Sequence, residues 1–302
     1  MKENLLLQNM LFEKGYELYE MAGEGATSQV YRIRAWGTGQ YFACKISKKI
    51  EWLFPESELL KSLKHPLFPE WIDYWEEAGT GFLVMEFISG NSLEKCLESV
   101  GRFSQEETIC IALALADGLG YLHERKTAVV YRDLKPENII LQQDGKIRLS
   151  DLGAASVPDG WKAGTPGYAA PELMLTDENV RERSKPMPVS DIYSLGVVMH
   201  RMMTGHNPCG DKQELLPARA YDRKISPGVE DIIFRCTRPC PKERIPGMRE
   251  LMREMEAYHN RSKLQMIRQK WKASRRACET VLYEKNVWEQ AEFSCNNSCK
   301  EL

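Results

Sequence analysis

Apolar and polar residues alternate in short runs through the first third of the chain. Val30-Tyr31-Arg32-Ile33-Arg34 alternates, Gly37-Thr38-Gly39 marks a turn, and Gln40 to Ile46 alternates again. A period of two predicts half-buried strands. Trp71 to Trp75 and Phe82 to Phe87 continue that pattern. Between Ile46 and Trp71, Pro55 to Leu63 takes a helical spacing, with Pro55 suited to a first helical turn. Beyond a hinge-like Ser89-Gly90-Asn91 the period lengthens. Ser104 predicts the cap of a helix running to His123, with Glu107 placed to complete a capping box. Asp144-Gly145, between Ile139-Ile140-Leu141 and Ile147-Arg148-Leu149, predicts a hairpin. Helical spacing returns at Ser190 to Met203, Gly228 to Cys236 and Gly247 to His259. The order predicts an α+β, two-lobed architecture. A small β-rich lobe covers residues 16–87 and a larger helical lobe 88–260, with an N-terminal extension (1–15) and a C-terminal tail (261–302).

Composition narrows the class without naming a function. The chain has 302 residues, 43% hydrophobic and 28% charged, which excludes a collagen-like, low-complexity or wholly disordered polypeptide. The net charge of −2 implies no nucleic-acid partner, but it is unevenly spread. Residues 261–302 hold nine basic and five acidic residues, against 32 and 38 in residues 1–260. In that tail Leu264, Ile267, Trp271, Cys278, Val281 and Trp288 recur at helical spacing. Two readings stay open there. The apolar face packs on the large lobe or on a second copy in a homodimer, or a basic amphipathic helix touches a membrane or a partner.

Nine cysteines without a short, even framework point to a reducing compartment, the cytoplasm. Cys236 with Cys240, and Cys295 with Cys299, lack a second pair or a nearby histidine and read as unpaired thiols rather than zinc ligands. Leu5-Leu6-Leu7 is interrupted at once by Gln8 and Asn9, so no signal-peptide core is expected at the start. The longest apolar run, Ile109 to Ala116, is too short to cross a bilayer.

Candidate chemistry begins at Gly23-Glu24-Gly25-Ala26-Thr27-Ser28, a GxGxxG-like run with serine in the third glycine position. A strand pattern follows it where a dinucleotide fingerprint needs a helix. That leaves a phosphate-covering flap or a plain hairpin. Tyr131-Arg132-Asp133-Leu134-Lys135-Pro136-Glu137-Asn138 is more specific. Asp151-Leu152-Gly153 and Gly164-Thr165-Pro166-Gly167-Tyr168-Ala169-Ala170-Pro171-Glu172 follow in order. Over residues 16 to 258 these motifs resemble the eukaryotic-like (Hanks-type) serine/threonine protein kinases, of the kind also found in bacteria. The resemblance implies the bilobal protein-kinase fold, and a bacterial source is expected.

It also implies ATP and Mg²⁺ as cofactors, and protein substrates bearing Ser or Thr hydroxyls. Phosphoryl transfer asks the protein mainly for positioning and charge stabilisation. By the resemblance Asp133 is the base, Lys135 with Thr165 brackets the base and the transferred phosphate, and Asn138 and Asp151 ligate Mg²⁺. Lys45 holds the α/β-phosphates, with Glu56 as its partner and Glu58 as the rival for that role. Gly23, Gly25 and Ser28 form the flap. Val30, Ala43 and Ile140 sandwich the adenine, Met85 stands behind it, and Glu86 to Ile88 offer hinge backbone. Asp191 is expected to bond the catalytic-loop backbone, and Glu172 with Arg244 to form a buried ion pair. Tyr131, Leu152 and Ser28 depart from the family's residues without removing an essential group, so an active enzyme is expected rather than a pseudokinase scaffold. A small-molecule kinase is disfavoured by the segment from Gly164 to Glu172. With no evident phosphosite before Thr165, activity is expected not to depend on phosphorylation of that loop.

Overall fold

The alternating first third folds into five antiparallel strands: β1 (Tyr16–Glu24), β2 (Gln29–Ala35), β3 (Tyr41–Ser47), β4 (Trp71–Glu77) and β5 (Thr80–Glu86). They lie side by side as β1-β2-β3-β5-β4. The computed structural model describes residues 2–25, 27–156, 164–174, 186–208 and 215–258, with side chains from Leu6 onward. Strand β3 is central, and its alternation serves two cores. Phe42 and Cys44 join Ile33, Phe82 and Val84 on one face. Ala43 joins Leu83 and Met85 on the other.

A helix covers each face of the sheet. Helix α1 (Lys2–Glu13) lies on the first face, burying Met10 and Leu11 with Leu7 packed beside them. The extension expected at residues 1–15 is thus largely a structural element. Three consecutive leucines masked its helical period. Helix α2 (Ile50–Ser62) covers the second face with Leu53, Glu56, Ser57 and Leu60 buried, the spacing of one helical stripe.

Pro55 stands inside α2 and not, as expected, in its first turn. The Lys49 carbonyl accepts from the Trp52 and Leu53 amides and starts the helix well before the proline. Pro55 supplies no amide to the Glu51 carbonyl, but Glu51 is exposed, so water can satisfy it.

Beyond residues 87–90 the chain enters the larger lobe. A short three-stranded sheet, β6 (Asn91–Ser92), β7 (Ile139–Leu141) and β8 (Ile147–Leu149), faces the cleft. The β7–β8 hairpin turns at Gly145, as the Asp-Gly pair predicts. Ser92 caps α3 (Leu93–Val100) by accepting the Lys95 amide. Helix α4 (Gln105–His123) carries the expected capping box between Ser104 and Glu107. It packs against α6 (Pro188–Thr204) and α9 (Met248–Glu256), with α8 (Pro227–Cys236) outside them. Two single turns, α5 (Gly153–Ser156) and α7 (Ala218–Tyr221), complete the α-helices among the described residues, beside three 3-10 turns at Pro136–Asn138, Pro171–Leu173 and Pro241–Glu243. The expected tail from 261, with Cys295 and Cys299, lies outside the described residues, as do residues 157–163.

Candidate active site

Lys45 projects from the same face of β3 as Ala43, into the space between sheet and α2. Its Nζ lies 2.8 Å from both carboxylate oxygens of Glu56 and 2.8 Å from Asp151 Oδ1. Glu56 belongs to the buried stripe of α2, whereas Glu58 faces solvent. The geometry therefore selects Glu56 over its rival.

One ammonium serves two carboxylates here, and they respond differently. Burial, together with the Asp151 charge, pushes the Glu56 carboxyl up to about 7 against the pull of Lys45. At Asp151 partial desolvation acts upward too, but Lys45 and the Gly153 amide outweigh it and hold the group at about 2. Burial alone would lower Lys45; Glu56 and Asp151 together raise it, so the ammonium stays charged.

The catalytic loop is held from below. Asp191, in the first turn of α6, accepts the Tyr131 and Arg132 amides at 2.8 Å each and meets His123 Nε2 at 2.7 Å. Arg132 has φ of 70°, a left-handed conformation that costs a non-glycine residue energy. The Asp191 carboxylate offsets that cost by fixing the amide. Asp133 then meets three groups. Thr165 Oγ1 donates to its Oδ1 at 2.7 Å, while Asn138 Nδ2 and Lys135 Nζ both stand 3.0 Å from its Oδ2. Lys135 also donates to Thr165 Oγ1 at 2.7 Å. Gly164, at φ of 111°, makes this approach possible, because a Cβ there would stand 2.8 Å from the Arg132 carbonyl oxygen.

Between the lobes lies a cleft of about 630 Å³. Flap residues Gly23, Gly25 and Ser28 line it, with Val30, Ala43, Lys45, Met85, Glu86, Ile88 and Ile140, and with Lys135, Asn138 and Asp151 at its floor. Asp133 and Glu56 do not line it. The first meets Lys135 and the second sits behind Lys45.

The residues present fit a nucleotide and a hard cation. Neither Gly23 nor Gly25 has a positive φ, and a Cβ at Gly23 would meet nothing within 4 Å. The fold itself therefore does not demand glycine there, and a ligand approaching the backbone would. Asn138 commits its amide nitrogen to the Asp133 carbonyl at 2.9 Å and to its carboxylate, leaving the carbonyl oxygen for a cation beside an ionised Asp151.

Some groups at the cleft were not anticipated. Arg148 is buried and donates to Phe68 O at 2.9 Å and to both carboxylate oxygens of Glu86, bracing the hinge from behind. In sequence it reads as the polar member of an alternating strand. Lys95 and Glu137 line the cleft mouth with no motif to announce Lys95. Away from the cleft, Arg244 grips Glu172 with two bonds of 2.7 Å and holds that carboxylate below its ordinary range, against the upward effect of burial. Cys236 and Cys240 are free thiols; burial pushes Cys236 up to about 12.

A two-lobed α+β fold with a lysine, two carboxylates and a catalytic-loop aspartate converging between the lobes defines a phosphotransferase architecture. Residues 16–265 match the model of the protein kinase domain, and the chain belongs to that family. Among curated relatives it is 32% identical over 253 residues to CBL-interacting protein kinase 21 of Oryza sativa, an alignment covering 76% of this chain and 47% of the relative. It is 34% identical over 203 residues to the serine/threonine-protein kinase RUNKEL of Arabidopsis thaliana, covering 64% and 14%. It is 30% identical over 262 residues to the cytokinesis protein sepH of Aspergillus niger, covering 79% and 19%. The chain thus spans less than half the length of these three relatives.

Proposed function

We propose that the protein transfers the γ-phosphoryl group of ATP to Ser or Thr hydroxyls of protein substrates. One observation carries the reading. Lys45, which lines the cleft, bonds both Glu56 and Asp151, and two residues of the cleft floor, Lys135 and Asn138, both meet the Asp133 carboxylate, which also accepts from Thr165.

In this reading Asp133 accepts the proton of the substrate hydroxyl as its oxygen bonds the γ-phosphorus. The bond from that phosphorus to the β–γ bridging oxygen breaks, and ADP leaves. Lys45 orients the α/β-phosphates, and Glu56 orients Lys45. Lys135 offsets charge on the transferred group. Asn138 and Asp151 would hold Mg²⁺, which would supply charge neutralisation at the phosphates.

A labelled-ATP assay with Mg²⁺ and a generic protein substrate tests this. Wild type is expected to label Ser and Thr. Asp133→Asn is expected to lose activity by about 10²–10⁴-fold, the usual worth of a general base. Transfer persisting in Asp133→Asn would remove the role assigned to that residue, and transfer in neither protein would favour a scaffold that only binds nucleotide.

The names of two relatives tie one to a CBL partner and another to cytokinesis. For this chain the partner proposed is a Ser/Thr-bearing protein. The reported relatives are plant and fungal, and they lend the expected bacterial source no support. The scattered cysteines support a cytoplasmic location. Contact with a membrane, a partner or a second copy through 261–302, and independence from loop phosphorylation, both concern segments outside the described residues.

A further inference from the structure

The flap is joined to the sheet by a side chain that no motif identifies. Its turn closes internally through the Gly25 amide, which donates to the Ser28 carbonyl at 2.8 Å. A second tie comes from β3. Ser47, 6% exposed, donates its hydroxyl to the Thr27 carbonyl at 2.7 Å and accepts the Lys49 amide at 3.0 Å. Both hydrogen-bonding roles of the hydroxyl are therefore engaged.

The placement follows from the strand's period of two. Ala43, Lys45 and Ser47 share one face of β3, spaced by about 6.8 Å. Ala43 and Lys45 line the cleft, and the third member of the row reaches the flap above it. A peptide unit is planar and trans, so holding the Thr27 carbonyl also fixes the direction of the Ser28 amide. Ser28 itself lines the cleft. It occupies the position where glycine would leave the backbone loose.

We propose that Ser47 is a positioning residue for the nucleotide: its hydroxyl sets the flap at a fixed height over the strand that carries Lys45. The inference rests on the nucleotide reading of the cleft. Without the tie, the flap samples open positions and binding must first reorder it. The cost falls on ATP binding and not on the phosphoryl-transfer step, because Asp133 and Lys135 belong to the other lobe.

The test compares wild type, Ser47→Ala and Ser47→Thr in two measurements. Hydrogen exchange on the nucleotide-free protein reads the tie by itself. Exchange across residues 24–29 is expected to speed up in Ser47→Ala and to match wild type in Ser47→Thr. Steady-state kinetics then read its consequence. KM for ATP is expected to rise about three- to tenfold in Ser47→Ala, the loss of one net hydrogen bond, with kcat little changed and with recovery in Ser47→Thr.

Unchanged exchange in Ser47→Ala, or an equal KM in the presence of normal wild-type ATP binding, would overturn the tie. Equal damage from Ser47→Thr and Ser47→Ala, or a fall in kcat alone, would also overturn it. A wild type with a protected flap and no affinity for ATP would instead overturn the nucleotide reading, and the claim about KM with it.

Discussion

Tyr131 stands where the family's catalytic loop usually carries histidine, and its hydroxyl is buried without a hydrogen-bond partner among the described residues. Burial, reinforced by Asp151, Asp133 and Asp191, raises its ionisation well above the ordinary tyrosine range, so the ring stays neutral. An unsatisfied buried hydroxyl costs about 1–3 kcal/mol. Tyr131→Phe removes only that oxygen. Its thermal midpoint is expected to equal or exceed that of wild type, with phosphoryl transfer retained. A clear loss of stability would show that the hydroxyl holds an interaction of its own. At this scale legibility followed chemistry. Asp133 and Asn138 share one short motif, so their shared task could be read from the chain. Arg148 and Ser47 act through partners 62 and 20 residues away in sequence, and each looks like an ordinary polar member of a strand.

Among elements, α1 was the least visible and has a large effect on the small lobe. Its Leu11 is fully buried against the sheet face opposite α2. Leu11→Ala is expected to destabilise the protein by about 2–5 kcal/mol in denaturant unfolding, the range for emptying a buried leucine site. A change under about 1 kcal/mol would mean that α1 is not needed to cover that face. The capping box of α4 was legible because Ser104 and Glu107 are three residues apart and form it locally. The start of α2 was not. Pro55 signals a first turn by propensity, but burying Leu53, Glu56 and Leu60 against the sheet draws the helix back to Ile50. Tertiary burial outweighed the local preference there.

For the whole molecule, the site exists only where the lobes meet. Lys45 and Glu56 come from the small lobe and Asp151 from the large one, so a ligand bridging them stabilises both. With Mg²⁺ and ATP at 100 times Kd, wild type is expected to gain about 2.7 kcal/mol of stability. That gain should appear as a raised midpoint in a thermal melt. Lys45→Met should melt lower without ligand, because it strands two carboxylates, and should show little of the ligand-dependent rise. A full rise in Lys45→Met would show that the lysine does not hold the nucleotide.

By itself the sequence determined the alternating strands of the first third, the main helices of the larger lobe and the two-lobed class, and its motifs, through the family they resemble, marked the catalytic-loop groups. The elements depend on periodicity, and the motifs on residues close together in the chain. Only the tertiary structure decided that Glu56 and not Glu58 meets Lys45, that α1 closes the outer face, and that Arg148 and Ser47 brace hinge and flap. Each of those depends on which face of an element is buried against a distant neighbour, and spacing along the chain does not carry that information.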